Sequence, residues 1–316
     1  MTLKKLWGYI RIVIGFGLIA FLLSRLDLSK VLLNLRSMDP RYLGLALFCY
    51  LLFIIVSAWR WQTLLQYKKI PMPFIRTNLV YCIALFFTNF LPTTVGGDLM
   101  RIVYSVREKK ADAVAVVLVD RILGFVGLFL FGLAAVLYLF IRQHRGEFLS
   151  LMIAGLTVLV LVTVFLFSER AYRTVSPWFE RIKLLRFGER VNNLHRTMND
   201  FGGAWGPIIL CITLSILIQI LLALSPFFVL RSMGDFKTGI LPFFIYLPII
   251  NVICMIPVSF NGLGVRENSY ALFFARAGLP GEISVTISLV SAFLAFLWSL
   301  VGGLIFIFYK KKQSGL

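Results

Sequence analysis

The sequence predicts an all-α integral membrane protein built as two inverted-topology repeats, with six transmembrane helices and two re-entrant helical hairpins that meet near the midplane. Three observations lead there. Of 316 residues, 59% are hydrophobic and thirty are phenylalanine, and the mean hydropathy is +0.90, outside the range of soluble domains. One helix-breaking motif occurs twice, each time between apolar segments. The lysines and arginines of the loops are also distributed unevenly between the two sides that such segments would define.

The motif runs Leu91-Pro92-Thr93-Thr94-Val95-Gly96-Gly97-Asp98-Leu99-Met100-Arg101, and again Ile256-Pro257-Val258-Ser259-Phe260-Asn261-Gly262-Leu263-Gly264-Val265-Arg266. Both copies read apolar-Pro, four residues, Gly, three residues, Arg, with an acid (Asp98, Glu267) beside that register. Proline lacks a backbone donor and glycine relaxes φ, so a helix entering from the left stops here and restarts after the glycines. Non-helical backbone at membrane depth survives only when buried in protein or facing a wet cavity.

In chain order, Trp7 to Leu23 is expected as a retained first span, because no small-residue cleavage site follows it. Asp27 to Met38 has Leu28, Val31, Leu32 and Leu35 at helical spacing among Lys30, Asn34 and Arg36, which suits an interfacial helix. Tyr42 to Gln66 is a span whose end carries Trp59-Arg60-Trp61, an aromatic-basic signature of the membrane surface. Thr77 to Leu91 would reach only about 22 Å before the first break, short of a bilayer core of about 30 Å. Asp98 to Arg107 is expected to return. Ala113 to Ile141 and Phe148 to Phe167 span, and Ser168 to Gly203 is expected to lie in the interface. Its Tyr172, Val175, Trp178, Phe179, Ile182 and Leu185 keep helical spacing between arginines. Gly206 to Leu230 spans, Ile240 to Ile256 enters the second break, Arg266 to Ala277 returns, and Ile283 to Tyr309 is the last span.

Shifting the first half by the 165-residue offset between Pro92 and Pro257 lays Tyr42–Gln66, Thr77–Arg107 and Ala113–Ile141 onto residues 207–231, 242–272 and 278–306. This is internal duplication, with repeats at residues 1–146 and 147–316. If both broken segments crossed the membrane, the basic loop at Ser168–Gly203 would face outward. If both are re-entrant, that loop and the Lys310–Lys312 tail fall on the cytoplasmic side together with most loop Lys and Arg, as the positive-inside rule requires. Each half then crosses three times, the second half is inverted, and both termini are cytoplasmic.

The net charge of +18 is assigned to topology and to anionic lipid. No zinc spacing or basic-aromatic motif supports a nucleic-acid partner. Cys49, Cys82, Cys211 and Cys254 fall inside apolar segments and are expected as buried, inert thiols. His144 and His195 lie in polar loops and receive no role. No nucleophile–His pair, carboxylate–His metal cluster or P-loop is present, so neither enzyme chemistry, cofactor nor direct ATP drive is expected.

Two hairpins would aim two half-helix N-termini at one cavity, an arrangement suited to phosphate or carboxylate. Arg101 and Arg266 add planar donors. Asn89, Thr93, Thr94, Ser259 and Asn261 can hydrogen-bond a head group, and Gly96, Gly97 and Gly262 let backbone approach. The competing reading pairs Arg101 with Asp98 and Arg266 with Glu267 merely to brace the bends. Asp120 and Arg121 point about 100° apart on a helix, so Arg121 is expected to reach Asp98 or Glu267 while Asp120 finds a different partner; a structural ion pair is the alternative.

The pattern Asn89-x2-Pro92-x3-Gly96-Gly97-Asp98-x2-Arg101, then Asp120-Arg121, then Pro257-x4-Gly262-x-Gly264-x2-Glu267, resembles the flippase-like membrane domain of bacterial lysylphosphatidylglycerol synthases and its stand-alone relatives. The resemblance covers nearly the whole chain. In the two-part enzymes the resemblance implies movement of aminoacylated phospholipid between leaflets. For this chain the expectation is a translocase of the cell inner membrane whose phosphate-bearing lipid is of phospholipid, aminoacyl-phospholipid or polyprenyl-phosphate type, since each satisfies a cavity with two arginines. With no synthase domain after Lys312, synthesis of lysyl-lipid is not expected. The alternative function is a non-transporting membrane partner of a lipid-modifying or glycosyl-transfer enzyme.

Overall fold

A computed structural model describes residues 27–90, 95–105, 110–143, 149–167, 200–256, 258–259 and 262–313, together with Gly17 and Ser24. Among these residues there are ten α-helices and no strand. They are α1 (Leu28–Arg36), α2 (Pro40–Tyr67), α3 (Phe74–Phe90), α4 (Val95–Ser105), α5 (Lys110–Gln143), α6 (Leu149–Phe167), α7 (Trp205–Ser232), α8 (Leu241–Met255), α9 (Val265–Ala275) and α10 (Gly281–Gln313). The expected span Trp7–Leu23 and nearly all of the expected interfacial stretch Ser168–Gly203 lie outside the described residues.

Four helices, α2, α5, α7 and α10, are long and apolar enough to cross a membrane. α6 adds a mostly apolar helix of nineteen residues and leaves Ile153, Val158, Val160, Leu161 and Val164 exposed, the surface a helix offers to lipid rather than to water. By contrast α3, α4, α8 and α9 have 17, 11, 15 and 11 residues, and at about 1.5 Å per residue none reaches the length of a full span.

Each break separates two antiparallel helices. Near the start of α8, Phe243 meets Phe274 near the end of α9 with ring centroids 4.7 Å apart, and Tyr246 stacks on Phe273 at 5.9 Å. Arg76 at the start of α3 donates to the Tyr104 carbonyl at the end of α4 at 3.3 Å. The second break turns on Gly262 and Gly264, at φ +74° and +79°, a region that side chains with a Cβ rarely adopt. α9 starts at Val265, directly after these glycines, as the motif predicts. The first break differs: α4 already starts at Val95, so Gly96 and Gly97 form its first turn instead of preceding it. Two glycines fit there because both are buried and the first-turn N–H groups have no intrahelical partner to lose.

The chain divides into two compact units, one of Met1–Ile54, Leu85–Gly97 and Gln219–Leu316, the other of Ile55–Ala84 and Asp98–Ile218. In the first, α10 packs against α9 and α1; Trp298 Nε1 donates to the Leu47 carbonyl at 3.2 Å, and Phe87 meets Phe306 edge-on at 5.0 Å. In the second, α5 is the packing centre, and two of its glycines explain how neighbours come close. A Cβ at Gly124 would lie 3.1 Å from Arg60 Nη1. A Cβ at Gly127 would collide with Ser215 Cβ and lie 3.0 Å from the Ser215 carbonyl carbon. Small residues at helix crossings are what allow such backbone approach in apolar surroundings.

Gly127→Val therefore has to push α5 and α7 apart. It is expected to cost about 1–3 kcal/mol, read as a clear drop in thermal denaturation midpoint in detergent. Gly44→Ala, where nothing lies within 4 Å, leaves the midpoint unchanged.

Candidate functional site

The second unit holds five charged side chains in one alternating ladder. Arg121 Nε on α5 donates to Asp98 Oδ2 on α4. Asp98 Oδ1 also lies 3.7 Å from Arg101 Nη1, one turn further along α4. Arg101 Nη2 donates to Asp120 Oδ2 at 2.7 Å, and the other oxygen of Asp120 accepts from Arg60 Nε on α2 at 2.8 Å. Arg60 Nη1 then donates to Ser215 Oγ on α7 at 2.9 Å, and that hydroxyl donates to the Cys211 carbonyl at 2.7 Å. The ladder thus joins three arginines to two aspartates. Burial deepens along it: the Arg121 side chain is 36% exposed, Asp98 17%, and Asp120 1%.

Arg101 is also boxed by aromatic rings. Its guanidinium carbon lies 4.6 Å from the Trp61 ring centroid and 5.4 Å from that of Tyr81, distances at which a cation is attracted to the ring face. Arg101 Nε and Trp61 Nε1 are both buried and lack a hydrogen-bond acceptor. An unmade buried donor costs about 1–3 kcal/mol, so these two groups favour an acceptor.

The corresponding residues of the other unit are self-contained. Arg266 donates to Glu267 Oε1 from Nη2 at 2.6 Å and from Nε at 3.0 Å, and its Nε also lies 3.3 Å from Ser288 Oγ. Glu267 Oε2 accepts the Gly264 N–H at 2.7 Å, which satisfies a free donor at the start of α9 and fixes the turn. Glu267 is 1% exposed and the Arg266 side chain 29%. Charge here sums to zero.

Of the residues singled out from sequence, Asp98, Arg101 and Arg121 are brought together in the ladder, and Arg266 and Glu267 pair at the second break. The expected brace between Arg266 and Glu267 is present. At the first break Arg101 takes Asp120 as its close partner, while Asp98 goes to Arg121. Asn89 is half-buried in the last turn of α3, and Ser259 is buried with no partner for its hydroxyl. Thr93, Thr94 and Asn261, with His144 and His195, lie outside the described residues. Cys49 and Cys211 are buried free thiols; Cys82 and Cys254 are half-buried.

One expectation is overturned. Trp59-Arg60-Trp61 is not a surface signature: Trp59 is 45% exposed, but Arg60 and Trp61 are buried. Successive helical residues point about 100° apart, so one tryptophan faces outward while the next two residues face the packed side. The signal was available, since Leu64 and Leu65, both fully buried, continue the apolar pattern beyond Arg60. Ser215 and Tyr81 carried no sequence signal; small polar and aromatic residues are ordinary inside apolar helices.

Residues 9–303 match the model of the lysylphosphatidylglycerol synthase transmembrane region. The chain belongs to that family. A UPF0104 membrane protein of Pyrococcus horikoshii is 24% identical, over 96% of this chain and 97% of its own length. A second UPF0104 membrane protein, from Methanocaldococcus jannaschii, is 20% identical over 99% and 98%. No solved structure matches.

The ladder ranks its own variants. Asp120→Asn strands two buried guanidiniums and is expected to cost about 3–5 kcal/mol of stability. Arg121→Gln removes the most exposed rung, leaves Asp98 beside Arg101, and should change stability least. Denaturation of the purified variants checks the order.

Proposed function

We propose that this membrane protein is a lipid translocase that takes up a phosphate-bearing head group at the arginines following its helix breaks, leaving the lipid tails in the bilayer. The observation that carries this reading is that Arg101, one turn beyond the first helix break and held by Asp120, keeps a buried Nε donor with no acceptor. Charge held in an apolar segment costs about 2.5–3.5 kcal/mol per residue even on the lenient scale, and a buried guanidinium with a donor unspent suits an anion that arrives and leaves. Arg121 is the rung such an anion meets first, because it is the most exposed and its planar donors match phosphate oxygens. Displacing Asp98 from Arg121 leaves that carboxylate a second cation, Arg101, one helical turn away.

On this reading the two halves are inverted repeats, their short antiparallel helix pairs are re-entrant, and both termini are cytoplasmic in the inner membrane. Rocking of one repeat against the other then presents the head group to either leaflet. Membership in the lysylphosphatidylglycerol synthase transmembrane family supports a lipid as the cargo. The duplication at a 165-residue offset and the matching short helix pairs support the repeat. Arg266, already neutralised by Glu267, serves as the weaker anion contact of the second repeat.

Purified protein in liposomes should move a fluorescent phosphatidylglycerol between leaflets faster than protein-free liposomes. Arg121→Gln should slow that movement by about tenfold, the loss of roughly one charge-assisted contact. Wild-type liposomes no faster than empty ones would remove the translocase reading and leave a non-transporting membrane partner of a lipid-modifying enzyme in its place.

A further inference from the structure

We propose that the loop between α2 and α3 is a docking edge for the anionic phospholipid head groups of one leaflet, and that Lys69 is held in left-handed backbone to serve it. Lys69 has φ +52° and is the one residue other than glycine with positive φ among the described residues. That conformation crowds a Cβ against the neighbouring carbonyl, so the position ordinarily takes glycine or asparagine. The second half of the chain shows what the turn alone requires. α2 (Pro40–Tyr67) and α7 (Trp205–Ser232) lie at the same 165-residue offset as the two breaks. The Lys69 N–H donates to the Gln66 carbonyl at 2.9 Å, and 165 residues on the Gly234 N–H donates to the Arg231 carbonyl at 3.1 Å, with φ +83°. Glycine therefore makes this turn without strain. Lysine adds strain and no bond to it, and strain of this kind has its use outside the turn.

The surroundings of Lys69 fit a bilayer surface. Lys69 and Arg76 are exposed, and between them in the chain Phe74 and Ile75 are 41% and 74% exposed, an apolar wedge flanked by two cations. The loop is firmly seated. Ile70 and Met72 are buried, Gln62 Nε2 donates to the Met72 carbonyl at 3.1 Å, and the N–H and hydroxyl of Thr77 donate to the Pro73 carbonyl at 3.0 and 3.1 Å. Arg76 spends one nitrogen on the Tyr104 carbonyl, and Lys69 makes no ion pair among the described residues. No acidic residue occurs between Asp39 and Asp98, and Asp112 at the start of α5 is engaged by Lys68 at 3.6 Å. At the 165-residue offset Lys68, Lys69 and Arg76 correspond to Met233, Gly234 and Leu241, so the charge belongs to this corner and not to the repeated turn. A basic residue at a membrane surface strengthens the hold on anionic lipid by about fivefold, and exposed aromatic and aliphatic side chains beside it seat in the head-group layer. The edge uses no rung of the ladder and stands whether or not the protein moves lipid.

The test places a fluorescent reporter in the wedge. Full-length protein carrying Ile75→Trp is reconstituted in phosphatidylcholine bilayers that contain tail-brominated phosphatidylglycerol or, separately, tail-brominated phosphatidylcholine. Quenching is read as the difference from the same protein without the reporter. Phosphatidylglycerol is expected to be preferred at the reporter at least fivefold, and about 1 M NaCl should bring that preference close to one. Lys69→Gly should lower the preference about fivefold while leaving the thermal denaturation midpoint unchanged or raised, because glycine adopts this backbone freely. Lys69→Asn, neutral and tolerated in left-handed backbone, gives the same loss if Lys69→Gly folds poorly, and Lys69→Arg keeps the preference. Equal quenching by the two lipids overturns the anionic edge. A reporter that neither lipid quenches lies outside the bilayer and overturns the docking. A lower midpoint in both Lys69→Gly and Lys69→Asn shows that the lysine serves the turn itself, and overturns its role toward lipid. The expected pattern in a protein that moves no lipid upholds the edge and removes only the translocase reading.

Discussion

Everything in the second unit depends on one carboxylate. Asp120 has no solvent contact to speak of, and it accepts from Arg60 on α2 and Arg101 on α4 at 2.8 and 2.7 Å. A buried carboxylate with one arginine is a poor source of stability, because desolvation of both ions roughly cancels their attraction. Sharing it between two arginines on different helices changes its use. The geometry of three helices is fixed by one group, and α7 is added through Ser215. The result holds Arg101 in place while leaving part of its hydrogen-bonding capacity unspent.

That arrangement also explains the glycines of α5. Gly124 leaves room for the Arg60 guanidinium, and Gly127 lets α5 approach the backbone at Ser215. Any larger side chain would separate Asp120 from the groups that neutralise it. Packing and electrostatics are thus one constraint: the close crossing is needed because the charges must meet, and the charges are tolerable only because the crossing is close. At the second break the same type of residues settles differently. Arg266 and Glu267, adjacent on α9, neutralise each other and cap the turn, so this element has no surplus charge and serves mainly to hold its shape.

Much of the fold was legible because helices in apolar surroundings are bounded by strong signals. The long helices α2, α5, α7 and α10 begin and end within four residues of where hydropathy and loop charge place them. Gly262 and Gly264 mark the second break through their positive φ. At the first break the helix restarts earlier than the glycines imply, since Gly96 and Gly97 are tolerated in a first turn that has few backbone bonds to make. The site was half legible. Paired motifs pointed to Asp98, Arg101, Arg266 and Glu267, and the 100° rule separated Asp120 from Arg121. Arg60 was misjudged because a Trp-Arg-Trp run near a span end resembles a membrane-surface belt, and only the fully buried Leu64 and Leu65 beyond it show that the helix is still inside. The contributions of Tyr81 and Ser215 are tertiary, arising from which helix faces which, and no spacing encodes them.

We propose that the ladder receives a lipid phosphate. The most direct measurement is mass spectrometry of the lipids that remain with gently purified protein, compared with the surrounding membrane and with the Arg121→Gln protein. One phosphate-headed lipid class is expected to be enriched on the wild type and lost from the variant. Identical profiles for both proteins, matching the bulk membrane, would contradict it and leave the arginines as structural braces.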